Sequence, residues 1–237
     1  MPLKIAQDKF LSNNKNKSRL IEILRIKLAD NNIFTCQAES DADKLIADTA
    51  INLETNNVVI VSEDTDVLVI LTALVNEDRE IYFLKPSKGK VQQKIFSSRS
   101  LKETLPKCKE HILFLHAFTG YDTTAFFIKG KIKFAKNFEK CHDLHKSAEV
   151  FKNVNEDSNN IFQAGVTCIL GLYGASPKIR FEYTLRYNSF IKATAKNPSV
   201  LLSSLPPTTD AAFEHLKRVY LQIQIWLGNN VDIDNWG

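Results

Sequence analysis

The sequence predicts an α/β fold: a three-layer sandwich with a mostly parallel central sheet, followed by an all-helical C-terminal region. Three observations support this prediction. Runs of β-branched residues alternate with helical patterns in the first half of the chain. The second half shows helical periodicity only. The composition of the 237 residues, 44% apolar and 24% charged, is that of a globular protein and excludes a disordered or collagen-like chain.

The first elements are predicted to be a helix, a short strand and a second helix. Apolar residues recur at helical spacing over 18–31, and Ser18 is the expected N-cap. A short strand is expected at 33–36. The second helix is expected over 41–53, because acids in its first turn suit the positive end of the helix dipole.

The middle of the chain predicts the sheet. Four β-branched residues at 58–61 indicate a strand buried on both faces, as in a parallel sheet. A helix is expected over 67–75. Strands at 80–84 and 91–96 flank a Pro/Gly turn and predict an antiparallel edge pair.

The remaining pattern is helical, and it divides the chain into two predicted domains. An α/β domain is expected over 1–140, with a helical hairpin at 110–140, and a helical region over 141–237. The last helix is expected to be capped by Thr208 or Thr209. The individual helices are predicted at 110–119, 131–139, 159–173, 178–194 and 209–227.

Composition also indicates the cellular environment in which the protein is expected. The longest apolar run, at 67–75, is far shorter than the roughly 18 residues of a membrane-spanning helix. The four cysteines are widely spaced, which argues against a disulfide framework and fits a reducing compartment. We therefore expect an intracellular protein, nuclear or cytoplasmic, with no membrane partner. Cys36 and Cys168 lie in apolar runs and are expected in the core.

Carboxylates follow the predicted strands. Asp41 and Asp43 follow the first strand and open a helix, and Asp64 and Asp66 do the same after the most apolar strand. Asp122 follows an apolar helical run. Because ligands collect at the carboxyl ends of strands in open α/β sheets, we expect these acids to converge. The alternative is that each Asp-x-Asp pair only supplies an N-cap and a helix-dipole acid.

Converging carboxylates would have a chemical consequence. They repel one another strongly unless a cation lies among them. Ligand sets made only of oxygen suit Mg²⁺ or Mn²⁺. Pairs of such ions activate water and stabilise the leaving oxygen in phosphodiester hydrolysis. The acids therefore predict a divalent-metal site for phosphodiester chemistry.

These residues resemble the acidic motifs of PIN-like nucleases, and those of the flap endonuclease branch in particular. The acid-Ala-acid pattern with an Ala four residues later is matched by Asp41, Asp43 and Ala47. Glu-Asp-x-Asp is matched at 63–66, and Gly-x-Asp at 120–122. Glu39 offers an alternative register for the first pair. The resemblance covers about residues 30–140.

The resemblance implies a metal-dependent nuclease acting on structured or single-stranded DNA or RNA. By this resemblance Asp64, Asp66 and Asp122 would hold one Mg²⁺ or Mn²⁺ ion. Asp43 would bridge, and Asp41 would face a second ion. Metal-activated water would attack the phosphate, so that no side-chain nucleophile is needed.

A narrower resemblance spans nearly the whole chain. The segment His-Ala-Phe-Thr-Gly-Tyr-Asp-Thr-Thr at 116–124 is similar to the signature of a group of animal proteins with PIN-like domains, often thought to derive from mobile elements. That group commonly has Cys where Tyr121 stands. The flap endonuclease family has two further metal-binding Asp residues upstream, which this chain does not match. We therefore expect a fragment that lacks the first, central strand and cleaves nucleic acid inefficiently alone.

A basic segment follows the Gly-x-Asp motif, at the place where the flap endonuclease family has a hairpin that grips phosphates. The alternative interpretation is a solvated basic face. A second small basic cluster, at Lys15, Lys17 and Arg19, is more simply solvated. The candidate nucleic-acid contacts are Lys129, Gly130, Lys131, Lys133 and Lys136.

Two other functional hypotheses stay open at this point. The chain could be a catalytically inactive module, derived from a PIN-like nuclease, that binds nucleic acid or a protein. A phosphatase-like hydrolase is disfavoured, because it would usually need an Asp nucleophile on the first strand.

Histidines and cysteines give weaker signals. The pairs Cys108/His111 and Cys141/His145 superficially have the spacing of zinc ligands, but neither has a convincing zinc knuckle around it. His116 is expected to lie in the core or to support a neighbouring residue rather than to act as a base.

Overall fold

The computed structural model describes residues 6–38, 41–55, 57–76, 78–99, 106–120, 131–197, 199–232 and 236. The chain divides into two compact units, Met1–Ala42 and Asp43–Gly237. This division lies before the boundary expected at residue 140, which stays a prediction.

The first unit is helical. Helices α1 (Gln7–Leu11) and α2 (Asn14–Ala29) follow one another closely. The predicted helix is confirmed, but it begins four residues before Ser18, because the Asn13 side chain accepts hydrogen bonds from the N–H groups of Lys15 and Asn16. None of the residues of α2 is buried within the structure.

The end of the first unit differs from the sequence prediction. The expected strand at 33–36 is wrong: the chain turns at Asn32, where φ is +58°, and residues 33–38 have no regular structure. A strand needs a partner to satisfy its backbone groups, and no strand is described in this unit. The expectation that Cys36 lies in the core is also wrong, because its side chain is exposed.

The second unit begins with a mixed α/β arrangement. Its first elements correspond closely to the predicted helix, strand, helix and strand pair. They are α3 (Ala42–Asn52), β1 (Val58–Val61), α4 (Asp66–Leu74), β2 (Ile81–Lys85) and β3 (Lys94–Ser97).

The described strands form one small mixed sheet in the order β1-β2-β3. Strand β1 pairs in parallel with β2, with Val58 opposite Ile81. Strand β2 pairs antiparallel with β3, as the turn pattern predicts. The described sheet thus has one parallel and one antiparallel pair, rather than the mostly parallel order expected. The crossover through α4 explains the parallel pair.

Burial along β1 corrects a second expectation. Val58 and Ile60 are buried, whereas Val59 is 55% exposed and Val61 is 64% exposed. This alternation is typical of a strand with one covered face, not of one buried on both faces.

The rest of the second unit is helical, as predicted. Two helices, at Pro106–Glu110 and His142–Val150, were not predicted. The second of them buries Leu144 and Ala148 in the core. Thr208 caps the last helix, since its side chain accepts a hydrogen bond from the Ala211 N–H. The helices are α5 (Pro106–Glu110), α6 (Ile112–Gly120), α7 (Lys131–Phe138), α8 (His142–Val150), α9 (Ser158–Leu172), α10 (Glu182–Thr194) and α11 (Thr209–Leu227), with a short 3₁₀ turn at Leu202–Ser204.

One hydrophobic core joins the sheet to the helices of the second unit. Helix α11 packs against α6 and α9, and α6 packs against α4. Phe114, Phe118 and Trp226 are fully buried in this core. Large aromatic side chains therefore hold α6 in a fixed position beside α4. Cys168 lies in the same core, as expected.

A helix must be long and apolar to span a bilayer. Within the described ranges, none is both long and apolar enough to cross a membrane.

A buried histidine predicts acid sensitivity. His215 is 3% exposed, and its Nε2 lies 3.2 Å from the Phe118 carbonyl oxygen. Burial lowers the pKa of His215 from 6.5 to about 4. The unfolded chain therefore binds more protons between these two values, and stability falls as the pH drops from about 6.5 towards 4. We expect His215 to contribute about 1–2 kcal/mol of the loss between pH 7 and pH 5.

The measurement is the free energy of unfolding in urea at pH 7 and pH 5. His215→Gln keeps an N–H donor but does not titrate. The variant should therefore lose less unfolding free energy between pH 7 and pH 5 than the parent, by about 1–2 kcal/mol. If the variant loses as much stability as the parent between pH 7 and pH 5, His215 does not cause the acid sensitivity.

Candidate metal centre

Three aspartates of the second unit come together at the end of β1. Strand β1 leads into residues 62–65, and Asp66 lies in the first turn of α4. The Asp64 N–H donates to Ser62 Oγ (3.0 Å), and the Asp66 N–H donates to Asp64 Oδ1 (3.0 Å). Asp43 comes from a different segment, the first turn of α3. Local turn bonds thus hold two of the acids, and α3 brings the third.

The carboxylate oxygens of Asp43, Asp64 and Asp66 lie within 4.8 Å of one another. Asp43 and Asp66 are half-buried, and Asp64 is exposed. Three negative charges at this separation repel one another, and a divalent cation would relieve the repulsion. We name these three residues the acidic cluster.

The acidic cluster fits a hard divalent cation. Mg²⁺ binds oxygen ligands at about 2.0–2.1 Å in an octahedron, which places ligand oxygens about 3–4 Å apart. The observed separations need only small side-chain movements to reach this range. The solvent-exposed side at Asp64 leaves room for water ligands, which Mg²⁺ usually retains.

His116 fixes the orientation of Asp66. Its Nε2 lies 2.8 Å from Asp66 Oδ1, so that an Nε2–H donates to the carboxylate. The imidazole ring also stacks on Trp226, with the ring centroids 5.7 Å apart. The expectation that His116 supports a neighbouring residue is confirmed. A second helix, α6, thereby takes part in positioning the carboxylate of α4.

The capping alternative accounts for part of this arrangement. Asp64 Oδ1 accepts from the Asp66 N–H, which is an Asx-turn of the kind found before helices. Capping does not require Asp43, from another helix, to lie within 4.8 Å of both. It also does not require a histidine on Asp66. The geometry therefore favours a cluster that can bind a cation over two independent helix starts.

The other predicted ligands are not part of the described cluster. Asp41 belongs to the first unit, so its role stays a prediction. Glu39 and Asp122, like the phosphate-contact candidates Lys129 and Gly130, lie outside the described residues.

Gly120 ends α6 immediately before the undescribed segment 121–130. Its φ is +118°, a backbone angle that residues other than glycine rarely adopt. The glycine of the Gly-x-Asp motif therefore has a conformational reason, because another residue type would strain the backbone at this position.

A groove of about 310 Å³ lies between α4, α6 and α7. It is mostly apolar, and its polar lining includes His116, Thr119 and Lys131. Since His116 also touches Asp66, the groove and the acidic cluster share one side chain. On α7, Phe134 and Phe138 are buried, whereas Lys131, Lys133 and Lys136 are exposed.

The cysteine–histidine pairs do not form metal sites. Among the described residues, neither cysteine belongs to a group of three or more candidate ligands. Cys108 Sγ donates to the Ala135 carbonyl (3.3 Å), and burial raises the pKa of its thiol to about 12. Nε2 of His145 is engaged with the Phe138 carbonyl.

The sequence did not identify Asp66 as the residue that His116 supports. The two residues are 50 positions apart, and no local pattern links them. The one available signal was the position of His116 in the segment that ends with Gly-x-Asp.

Comparison with known proteins identified no relative of this chain. No protein-family model, curated protein or solved structure matches the chain.

Proposed function

We propose that this chain is a divalent-metal-dependent nuclease of the PIN-like, flap-endonuclease-like kind. The observation that carries the proposal is the convergence of Asp43, Asp64 and Asp66 from two segments, with His116 holding Asp66. These three carboxylates would hold Mg²⁺ or Mn²⁺. Asp41, Asp122 and Glu39 are proposed as additional ligands on the resemblance alone.

The chemistry follows from the donor set. When bound, Mg²⁺ or Mn²⁺ supplies a Lewis acid that lowers the pKa of water and offsets negative charge on a phosphodiester. The acidic cluster binds and orients the ion. His116 keeps the Asp66 carboxylate in one rotamer through its hydrogen bond, and Trp226 keeps the imidazole in place by stacking. No side chain of the cluster needs to act as a nucleophile.

The proposed PIN-like architecture is supported by the arrangement of β1, α4 and β2. β1, α4 and β2 form a parallel crossover unit, and the acids of β1 and α4 lie at the carboxyl end of β1. Ligands bind at that end of the strands in open α/β sheets. We propose the three-layer PIN-like arrangement as the architecture to which this unit belongs.

The proposed substrate is single-stranded or structured DNA or RNA. The lysines of α7 are exposed on a helix that is anchored by two buried phenylalanines. Lys131 also lines the groove next to His116. The lysines of α7 would therefore bind the phosphates of a nucleic-acid strand and position it close to the acidic cluster.

The second candidate is a catalytically inactive module that binds nucleic acid or a protein. The observation that favours it is the use of Asp64 Oδ1 as the acceptor of the Asp66 N–H, which gives this carboxylate a structural role without metal. In that case the lysines of α7 would bind nucleic acid with no subsequent cleavage.

The test is cleavage of single-stranded DNA, single-stranded RNA and a flapped duplex in Mn²⁺. We expect slow cleavage of at least one substrate. Asp66→Asn should abolish it. Asp210→Asn should leave it unchanged, because Asp210 is likewise an acid in the first turn of a helix. Binding without cleavage would favour an inactive module that binds nucleic acid. A chain that neither binds nor cleaves these substrates would contradict the nuclease and leave only a protein-binding module.

The lysines of α7 give a further prediction. Replacing Lys131, Lys133 and Lys136 together with alanine should weaken binding to single-stranded DNA about tenfold or more at low salt. It should also reduce the slope of log K against log salt by about 2, because each lost phosphate contact removes about 0.7. The measurement is fluorescence anisotropy over a range of salt concentrations.

The matched control replaces Lys15, Lys17 and Arg19 with alanine. This change removes the same charge from helix α2, where we expect solvated side chains. Equal loss of affinity in the two triple variants would show that only net charge matters and that α7 is not a specific contact surface.

A further inference from the structure

We propose that His111, Glu110 and Glu149 form a second metal site, selective for Zn²⁺ or a similar late first-row divalent ion. It shares no residue with the acidic cluster and does not depend on the proposed nuclease activity. It would link the junction of α5 and α6 to the last turn of α8.

The first observation is an unsatisfied buried nitrogen. His111 lies between α5 and α6 and is 2% exposed. Its Nδ1 makes no hydrogen bond in the described part of the chain. Glu149 Oε1 lies 3.4 Å from this nitrogen without meeting hydrogen-bond geometry. A buried polar atom left in this way is unfavourable, and a ligand at Nδ1 would satisfy it.

The second observation is the arrangement of donors. One ligand atom each from Glu110, His111 and Glu149 lies within 4.8 Å of the other two. Zinc binds nitrogen and carboxylate oxygen at about 2.0–2.2 Å in a tetrahedron, so its ligand atoms are about 3.4 Å apart. The separation between His111 Nδ1 and Glu149 Oε1 has this value. A mixed nitrogen and oxygen set favours zinc over magnesium.

Packing keeps the imidazole of His111 in one orientation. The ring meets Phe138 edge-on, with centroids 5.4 Å apart, and stacks on His145 at 5.7 Å. His145 is held in turn by the Phe138 carbonyl. The Nδ1 atom therefore stays directed towards Glu149, as a preorganised ligand requires.

Two lysines compete with the proposed ion. Lys107 Nζ lies 2.7 Å from Glu110, and Lys152 Nζ lies 2.9 Å from Glu149. Each pair is spaced i,i+3 on the surface and partly exposed, and such pairs are weak. A divalent ion that also satisfies His111 would displace them. Removing a lysine should consequently strengthen metal binding.

The experiment uses the full chain with Asp64→Asn and Asp66→Asn, so that the acidic cluster no longer competes for the probe. Co²⁺ is titrated and followed by its visible absorption, and Zn²⁺ is then added in competition. We expect one Co²⁺ bound per chain and its displacement by Zn²⁺. Absence of Co²⁺ and Zn²⁺ binding would overturn the proposal.

Variants locate the site. Glu149→Gln and Glu110→Gln should each weaken Zn²⁺ binding at least tenfold. Glu214→Gln is the matched control, since Glu214 is also an exposed partner of an i,i+3 lysine, Lys217, and should change the affinity less than twofold. Equal affinities in all three variants would overturn the proposal.

Two readouts separate a ligand role from a structural one. Lys152→Met should tighten Zn²⁺ binding severalfold, whereas loss of a purely structural ion pair would not. In ¹⁵N spectra of the imidazoles, Zn²⁺ should shift the Nδ1 signal of His111, without any need for a variant of this buried residue. An unshifted His111 signal at saturating Zn²⁺ would contradict the assignment.

Discussion

Replacing Asp66 with asparagine is expected to weaken Mn²⁺ binding about 100-fold while leaving the apo protein equally stable or more stable. The substitution removes one of three like charges, which lie within 4.8 Å of one another. The amide oxygen can still accept the hydrogen bond from His116, so the packing around Trp226 should not change. Weaker metal binding together with equal or higher stability of the apo protein is the trade-off expected of a functional site.

Calorimetric Mn²⁺ titration and thermal melts of the apo protein measure the two effects. Asp64→Asn should behave similarly, because asparagine can still accept from the Asp66 N–H. Asp210→Asn is the control for the general effect of removing a first-turn acid. If all three variants bind Mn²⁺ as the parent does, the three aspartates are helix-start residues only.

Saturating Mn²⁺ is expected to raise the stability of the parent chain by about 2.7 kcal/mol at a concentration 100 times the dissociation constant. The ion binds the folded chain, in which the carboxylates converge, and not the unfolded one. For a chain of 237 residues this corresponds to a rise of roughly 5–10 °C in Tm. Melts in Mn²⁺, in Mg²⁺ and in EDTA measure the effect.

A control separates this response from the proposed zinc site. The Glu149→Gln chain should gain the same Tm in Mn²⁺ as the parent, and the Asp66→Asn chain should not. Identical melting temperatures in Mn²⁺, Mg²⁺ and EDTA would be incompatible with a metal centre in the acidic cluster.

Local sequence patterns predicted most elements of the second unit. The β-branched run at Val58–Val61 is a strand, and the periodic apolar residues of Thr209–Leu227 form a helix with Thr208 as its cap. Helix α8 was missed, since few of its residues are apolar. Two of its buried residues, Ser147 and Ala148, have small side chains, and the helix packs against α9 and α7.

Errors arose where tertiary contacts decide the outcome. The apolar residues at 33–36 do not form a strand, because strand formation depends on a partner and not on composition alone. For the same reason, the apolar composition of β1 did not reveal that Val59 and Val61 are exposed.

The candidate site also has a part that the sequence predicts and a part that depends on tertiary contacts. That Asp64 and Asp66 follow a strand, and that Asp43 opens a helix, could be inferred from chain order. The contact of His116 with Asp66 could not, because it depends on how α6 packs beside α4 in the core. The same holds for the proximity of His111 to Glu149, since sequence spacing had associated His111 with Cys108 instead.

The most direct test of the central claim, that Asp43, Asp64 and Asp66 together hold one divalent ion, is cleavage of the polypeptide by bound iron. Fe²⁺ replaces Mg²⁺ in sites made of oxygen ligands, and with ascorbate and peroxide it cuts the backbone close to where it is bound. Mass spectrometry of the fragments should reveal cuts near residue 43 and at 64–66, suppressed by excess Mg²⁺. Cuts confined to other segments, or cuts at these positions that persist in excess Mg²⁺ and in the Asp66→Asn chain, would contradict the account.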